Sequence, residues 1–506
     1  MQFDSPKHKA FYPFLIAAYP VLALLAHNIE VISPWAAFRS LLVSLLLAGL
    51  VFVLVKLLLK SWERAALIAS VLLILFFSYG HVYNAIEGQV VFGFPIGRHR
   101  FLFSLWGAVS VALVVWLVRK RSNFSAAVKP LNVIGIILLI FPALQIGLFG
   151  LRSYTAYSPG RARASLGLQA PAGQPLPDIY YIILDGYTRD DILLKNYQLD
   201  NRPFLESLSA AGFYIARCSQ SNYAQTQLSL ASSLNYNYLE ALGENYRQGN
   251  TSRAGLADLI QHSAIRRDLE NLGYTMIAFE TGFEATQIED ADQYLAAHVD
   301  LSMNDFENMF VRSTAARVLS EGVAFLNLRP DWEARDQAHR EQVLFSLQKL
   351  RELPDLPGPK FVFAHIVSPH WPHVFGPNGE PVHELPDSAT GYRNQVLFLD
   401  KQMQPILENI IANSVTPPII IVQGDHGSII ESPKRRMSIL NMYYLPDGGE
   451  ESLYEGISPV NTFRVILNRY FGADLPLLAD RGYYSTYDKP YDYELIPEER
   501  SGCQSP

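Results

Sequence analysis

Apolar positions along the chain follow two different regimes. Up to residue 150 they run almost continuously, in stretches over residues 11–26, 36–59, 65–79, 101–118 and 133–150, none with a charge in its centre. Runs that approach or exceed about 20 residues predict membrane-spanning helices, because a helix satisfies its own backbone where water cannot. Beyond residue 177 the apolar runs shorten to β-branched and aromatic strings at 178–184, 274–279, 360–364 and 418–423. Helical patterns over 202–211, 331–353 and 392–411 alternate with them. Short buried strands alternating with helices predict an α/β domain of about 330 residues with a largely parallel central sheet.

These patterns divide the chain into a transmembrane region of five helices (1–150), a linker (151–176), an external α/β domain (177–490) and a polar tail (491–506). The linker is rich in Ala, Gly, Pro and Ser, carries Arg152, Arg161 and Arg163, and has no sustained apolar period, so it reads as a tether. A cleavable signal peptide is the competing reading for the first apolar run. No small-residue cleavage site follows Ala26, and four further apolar runs come after it, so the run is expected to stay as a membrane helix.

Charge sharpens the division. Residues 1–150 hold 12 Lys and Arg against 4 Asp and Glu, whereas the remainder holds 29 against 44, so an overall −7 conceals a basic anchor and a domain of net −15. Lys7, Lys9, Lys60, Arg64, Arg119, Lys120, Arg121 and Lys129 flank the runs on one side, which the positive-inside rule makes cytoplasmic. Arg98 and Arg100 stand on the other side. Five spans then put the chain after Gly150 outside the cytoplasmic membrane. No basic, aromatic-interleaved patch suggests a nucleic-acid partner. Cys218 and Cys503, the two cysteines, would be free to pair in an extracytoplasmic setting.

Ligands of open α/β sheets bind beyond the carboxyl ends of the strands. Three of the predicted strands end in polar residues there: Asp185-Gly186, His365 running on to Pro369-His370-Trp371-Pro372-His373, and Gly424-Asp425-His426-Gly427. Two carboxylates and an imidazole suit Zn²⁺ or Mn²⁺. Thr226 stands just before a predicted helix over 227–234. It reads as an N-cap or as a nucleophile at a helix N-terminus, and the two readings are compatible.

The string from Pro177 through Asp185, then 204–213, Thr226, His370, Asp425-His426 and Ser458-Pro459-Val460-Asn461 resembles the alkaline phosphatase/sulfatase superfamily. With the apolar runs ahead of it, the arrangement looks like lipoteichoic acid synthases and lipid A phosphoethanolamine transferases. The resemblance implies that Asp185, Thr226, Asp425 and His426 hold one divalent metal, that Thr226 is the nucleophile, and that His370 and His373 bind substrate, with His365 and His383 as weaker candidates. The chain departs from these families in having Asp185 where the transferases usually carry Glu. It lacks the Cys/Ser-x-Pro-x-Arg string from which sulfatases make formylglycine.

The expected function is therefore that of a membrane-bound, metal-dependent transferase. It would move a phosphorus-containing headgroup from a membrane phospholipid donor to an envelope glycan or lipid acceptor through Thr226. A phosphodiesterase or phosphatase of the same chemistry and a non-catalytic, envelope-binding membrane protein are the alternatives.

Overall fold

The computed structural model describes residues 9–497 and 503, apart from 31, 88, 92–93, 97, 121–123, 162–165, 171–174, 298–302, 323–330 and 386–387. Lys7, Arg121 and Arg163 lie outside the described residues. The chain divides into two compact units. One is Met1–Leu151 with Asp300–Ala334; the other is Arg152–Val299 with Arg335–Pro506. A stretch from within the region expected to be one external domain thus belongs to the first unit.

In the first unit each apolar run forms a helix: α1 (Tyr12–Asn28), α2 (Phe38–Leu59), α3 (Trp62–Ile86), α4 (His99–Arg119) and α5 (Ser125–Arg161). Among the described residues four helical stretches, Pro34–Leu59, Trp62–Ile86, His99–Arg119 and Ser125–Arg152, are long and apolar enough to cross a membrane. The expectation of five is met only in part, because α1 has 17 residues and falls short of the usual span length. Helix α5 continues through Arg161, so the first part of the stretch read as a tether is helical.

Small residues such as Ala17, Ala48, Ala65 and Ala69 lie buried between these helices, as expected where backbones must approach without a hydrophobic drive. Leu46, Leu57, Val111 and Phe141 face outward and are exposed. Polar side chains satisfy backbone groups that lipid could not. Asn132 Oδ1 accepts from Phe11 N and Tyr12 N at 3.1 and 3.0 Å, and Ser44 Oγ donates to Ala17 O at 3.0 Å.

The inserted stretch opens with a helix, Asp305–Ser313, started by a reciprocal Asn304–Glu307 capping box. Its Phe306 and Phe310 share a core with Val21 of α1 and Phe77 of α3. Glu307 accepts a two-pronged contact from Arg39, Nε to Oε1 at 2.8 Å and Nη2 to Oε2 at 2.6 Å. Gly80 on α3 makes room for it, since a Cβ there would stand 2.1 Å from Arg312 O. Arg317 lies 4.4 Å over the Tyr83 ring.

The second unit is built on a seven-stranded sheet. Its strands are β1 (Ile179–Leu184), β2 (Tyr214–Ile215), β3 (Thr275–Phe279), β4 (Gln293–Leu295), β5 (Lys360–Ile366), β6 (Ile419–Gln423) and β7 (Asn441–Tyr444), in the spatial order β2-β7-β6-β1-β5-β3-β4. Pairings β6-β1, β1-β5, β5-β3 and β3-β4 are parallel, and only β7 runs against its neighbours. The sheet is thus largely parallel, as the alternation implied.

Both faces of the sheet are covered, which is why its strands read as unbroken apolar runs. Ile179, Tyr181 and Ile183 of β1 pack with Leu228 and Leu230 of the helix Thr226–Ser233 and with Phe463 of Pro459–Phe471. Tyr180, Ile182 and Leu184 pack on the other face with Leu205 of Arg202–Ala210, Leu347 of Asp331–Glu352 and Leu399 of Ala389–Asn413. Cys218 and Cys503 form a disulfide with Cα atoms 5.4 Å apart.

Candidate metal and phosphoryl-transfer site

Adjacent strands β6, β1 and β5 end together, with Gln423 opposite Ile183 and Leu184 opposite Ile366. Their loops therefore converge on one sheet edge. Gly186 takes φ +75°, a left-handed turn open to glycine, and its N–H donates to Asp425 Oδ1 at 2.9 Å. Gly424 is required for a different reason: a Cβ there would lie 2.4 Å from Tyr187 O. These two glycines bring the carboxylates of Asp185 and Asp425 side by side.

Asp185, Asp425 and His426 are buried, and one ligand atom from each lies within 4.8 Å of the others. His426 Nδ1 stands 2.7 Å from Gly427 O, and since a carbonyl only accepts, that nitrogen carries the proton. Nε2 is left as the lone pair. It stands 3.5 Å from Asp425 Oδ2, 3.8 Å from Asp185 Oδ1 and 3.3 Å from Thr226 Oγ1.

Asp185 Oδ1 and Asp425 Oδ2 are both buried without a hydrogen-bond partner. Two orphaned carboxylate oxygens facing an imidazole lone pair fit a divalent cation, which is the partner such groups otherwise lack. Burial would raise the pKa of Asp185, but His370, His365 and His426 around it outweigh burial and hold the carboxyl well below its usual range. Burial lowers the pKa of His426, with Arg436 adding to the effect against the pull of Asp425 and Asp185, so the ring is kept neutral and able to ligate.

Thr226 is the first residue of its helix rather than the cap. Gln225 is the N-cap, without a side-chain capping bond, and the Thr226 hydroxyl is directed to His426 instead. The helix is fastened to the metal-site turn by Ser229, whose Oγ donates to Asp425 O at 2.7 Å, and Ser221 Oγ donates to the same carbonyl at 2.6 Å. Ser229 lies almost one turn beyond Thr226, so this bond fixes the distance from the threonine to the carboxylate.

His370 sits on the loop after β5, its N–H bonded to Asp185 O at 2.9 Å and its Nδ1 2.6 Å from Trp371 O. Its ring lies 6.4 Å from that of His426. His373 is buried farther along, 3.3 Å from Gln395 Nε2. Both line a cleft with Gly186, Trp371, Tyr392 and Ile429. His383 pairs with Asp336 at 2.5 Å and is not among the residues that line this cleft.

Two residues that sequence reasoning underrated or overlooked stand at the site. His365, on β5 itself, places Nε2 3.2 Å from Asp185 Oδ2 and Nδ1 2.9 Å from Thr286 Oγ1. Its five-residue spacing from His370 across the strand end was the available signal. Arg436 lies in the basic run after the Asp425-His426 turn, and its carbonyl accepts from Gly427 N at 2.6 Å. Nothing in the string itself distinguishes it from Arg435.

Residues 177–464, over half of the chain, match the sulfatase family. Among solved structures, the zinc complex of the C-terminal periplasmic domain of EptC from Escherichia coli is 11% identical, covering 65% of this chain and 94% of that one with a TM-score of 0.43. The integral membrane lipooligosaccharide phosphoethanolamine transferase A from Neisseria meningitidis is 12% identical, covering 91% and 94% with a TM-score of 0.41. The lipoteichoic acid synthase LtaP from Listeria monocytogenes is 12% identical, covering 68% and 86% with a TM-score of 0.39. Comparison with proteins of curated function finds no match. That family match extends over more than half of the sequence, and the chain belongs to the sulfatase family.

Proposed function

We propose that this protein is a membrane-embedded, metal-dependent transferase that moves a phosphorus-containing headgroup from a membrane phospholipid to an envelope glycan or lipid through a Thr226 intermediate. The observation that carries the reading is the pair of orphaned oxygens, Asp185 Oδ1 and Asp425 Oδ2, around the His426 lone pair, with the Thr226 hydroxyl 3.3 Å from that same nitrogen. Asp185, Asp425, His426 and Thr226 would hold one divalent ion, Mn²⁺ or Zn²⁺. When bound, such an ion lowers the pKa of a coordinated hydroxyl and balances charge on phosphoryl oxygens.

The remaining steps belong to the chain's own residues. Thr226 Oγ1 bonds to phosphorus while the bond to the lipid alcohol breaks, and the start of its helix favours the negative charge that gathers there. His370, which donates Nδ1–H to Trp371 O, has Nε2 free to take the Thr226 hydroxyl proton and pass it to the departing alcohol. In the second half an acceptor hydroxyl gives its proton to His370 and displaces Thr226 from phosphorus, and His370 returns that proton to the Thr226 oxygen. His373 lines the same cleft and contributes to holding the substrate.

All five helices are read as spans, α1 included, with the N-terminus cytoplasmic and the α/β domain outside the cytoplasmic membrane. Lys56, Lys60 and Arg64 at the α2–α3 turn, with Arg119 and Lys120 after α4, support that orientation. The 304–317 contacts with Ala36, Arg39, Phe76 and Tyr83 support it independently, since they engage the opposite ends of α2 and α3.

Purified full-length protein supplied with headgroup-labelled phospholipid vesicles, with and without envelope acceptors, tests the reading. Acceptor-dependent label transfer that a chelator abolishes is expected. Release of label to water alone would establish the hydrolase instead.

A further inference from the structure

Arg436 ends a short turn of helix, Pro433–Arg436, that folds back on the metal-site loop. Its carbonyl accepts from Gly427 N at 2.6 Å, which fastens its backbone to the residue after His426. Its neighbour Arg435 is occupied, 3.9 Å from Glu431 and 3.5 Å from Asn196 Oδ1. Arg436 is not: its Nε is buried with no hydrogen-bond partner, and no described carboxylate lies within ion-pair distance of it. A guanidinium N–H hidden from water and left without an acceptor is costly, and a ligand that supplies the acceptor explains its retention.

Charge counting says which ligand. Asp185 and Asp425 together balance a divalent cation, and His426 and Thr226 are neutral, so the metal site alone offers an incoming anion no net attraction. The bond from Gly427 N holds Arg436 against the Asp425-His426 turn, and its charge acts on both carboxylates and on His426. Its charge leaves the loaded site one unit positive within a domain of net −15. A singly charged phosphodiester neutralises that unit; a doubly charged phosphomonoester leaves a negative excess in a low-dielectric setting.

We propose that Arg436 is an anion-binding, specificity-determining residue of the Thr226 site, its free N–H and fixed charge receiving a non-bridging oxygen of a singly charged phosphodiester in preference to a phosphomonoester. The assignment rests on the metal-and-threonine reading given above. It also supplies the local attraction that the acidic domain as a whole does not.

The test compares full-length wild type with Arg436→Gln and Arg436→Lys, using bis(p-nitrophenyl) phosphate and p-nitrophenyl phosphate as probes and Zn²⁺ binding to the metal-free protein as a second readout. Wild type is expected to favour the diester. Arg436→Gln should lower kcat/KM for it by about 10²–10³-fold, the scale of losing one charge-stabilising donor, with a smaller effect on the monoester. Arg436→Lys should recover part of the diester rate, as a charge without the planar fork.

Removing a neighbouring cation should also make Zn²⁺ bind more tightly in Arg436→Gln, whereas loss of a merely structural residue would weaken it. An unchanged diester-to-monoester ratio, or weaker Zn²⁺ binding, overturns the proposal while metal-dependent turnover by wild type leaves the site reading intact. If wild type cleaves neither ester, water does not serve as the acceptor, the site reading is judged by the labelled-phospholipid transfer assay, and Zn²⁺ affinity decides here: failure to tighten in Arg436→Gln overturns the role of Arg436.

Discussion

His365 Nε2 lies 3.2 Å from Asp185 Oδ2, on the side of the carboxylate away from the oxygen that faces His426. One oxygen is thereby held by a buried imidazole, itself fixed through Nδ1 by Thr286, and the other has no hydrogen-bond partner and is open to a metal ion. Asp is one methylene shorter than Glu, and this support is what positions the shorter side chain. Replacing His365 with Ala should weaken divalent-metal affinity about 10- to 100-fold, the usual cost of losing a partner behind a ligand. His365→Gln, which can still donate, should retain more of it. Titration of metal-free protein with Zn²⁺ at fixed pH reads both, and equal affinity in wild type and Ala variant would remove His365 from the site.

The four strands and three helices read from apolar patterning appear within a few residues of their expected ends, because each strand is buried on both faces and each helix on one. Strands β2, β4 and β7 have two to four residues and too little apolar length to stand out. Asp185, Thr226, Asp425 and His426 were legible because three of them follow strands directly. The inserted stretch 300–334 was not legible, because the partners that bury Phe306 and Phe310 are over 200 residues away in sequence. Arg436 was hidden for a different reason, since nothing in Arg435-Arg436 says which guanidinium the fold leaves without a partner.

Gly80 gives a direct test of the inserted stretch. The backbone of Arg312 and Ser313 lies within 2.1–2.7 Å of where its Cβ would be, so Gly80→Leu must push the segment off α3. A loss of about 1–3 kcal/mol, typical of overpacking, is expected, seen as a lower apparent Tm of the full-length protein in detergent. Gly107, whose Cβ would meet nothing, is the control, and Gly107→Leu should leave Tm unchanged. An unchanged Tm in Gly80→Leu would place the segment elsewhere.

Asp400 links stability to pH. Burial pushes its carboxyl up to about 7 against the ordinary 3.8, with the hydrogen bond from Tyr187 at 2.5 Å pulling the other way. The folded chain therefore holds a proton there more tightly than the unfolded chain does. The stability this gives is fully present below the unfolded pKa and is lost as pH rises through about 7. Asp400→Asn, which keeps an acceptor for Tyr187, should gain stability relative to wild type between pH 5 and pH 8. Parallel unfolding curves across that range would show Asp400 to be charged throughout.

Beneath β1, Lys360 Nζ donates to Asp178 Oδ2 at 2.5 Å with both side chains buried. Lys360→Met leaves Asp178 alone in the interior and should cost about 3–5 kcal/mol in unfolding free energy. The double variant Lys360→Met/Asp178→Leu should regain much of it. Denaturant titration of the three proteins tests this, and a double variant no better than the single would assign the loss to packing.

The central claim is that Thr226 carries the transferred group, and peptide mass spectrometry of the full-length protein after incubation with native membranes tests it most directly. A phosphorus-containing adduct on Thr226, absent from Thr226→Ala and from chelator-treated protein, is the predicted result, and its mass names the headgroup. Full transfer activity in Thr226→Ala, with no adduct on the wild-type threonine, would contradict the account.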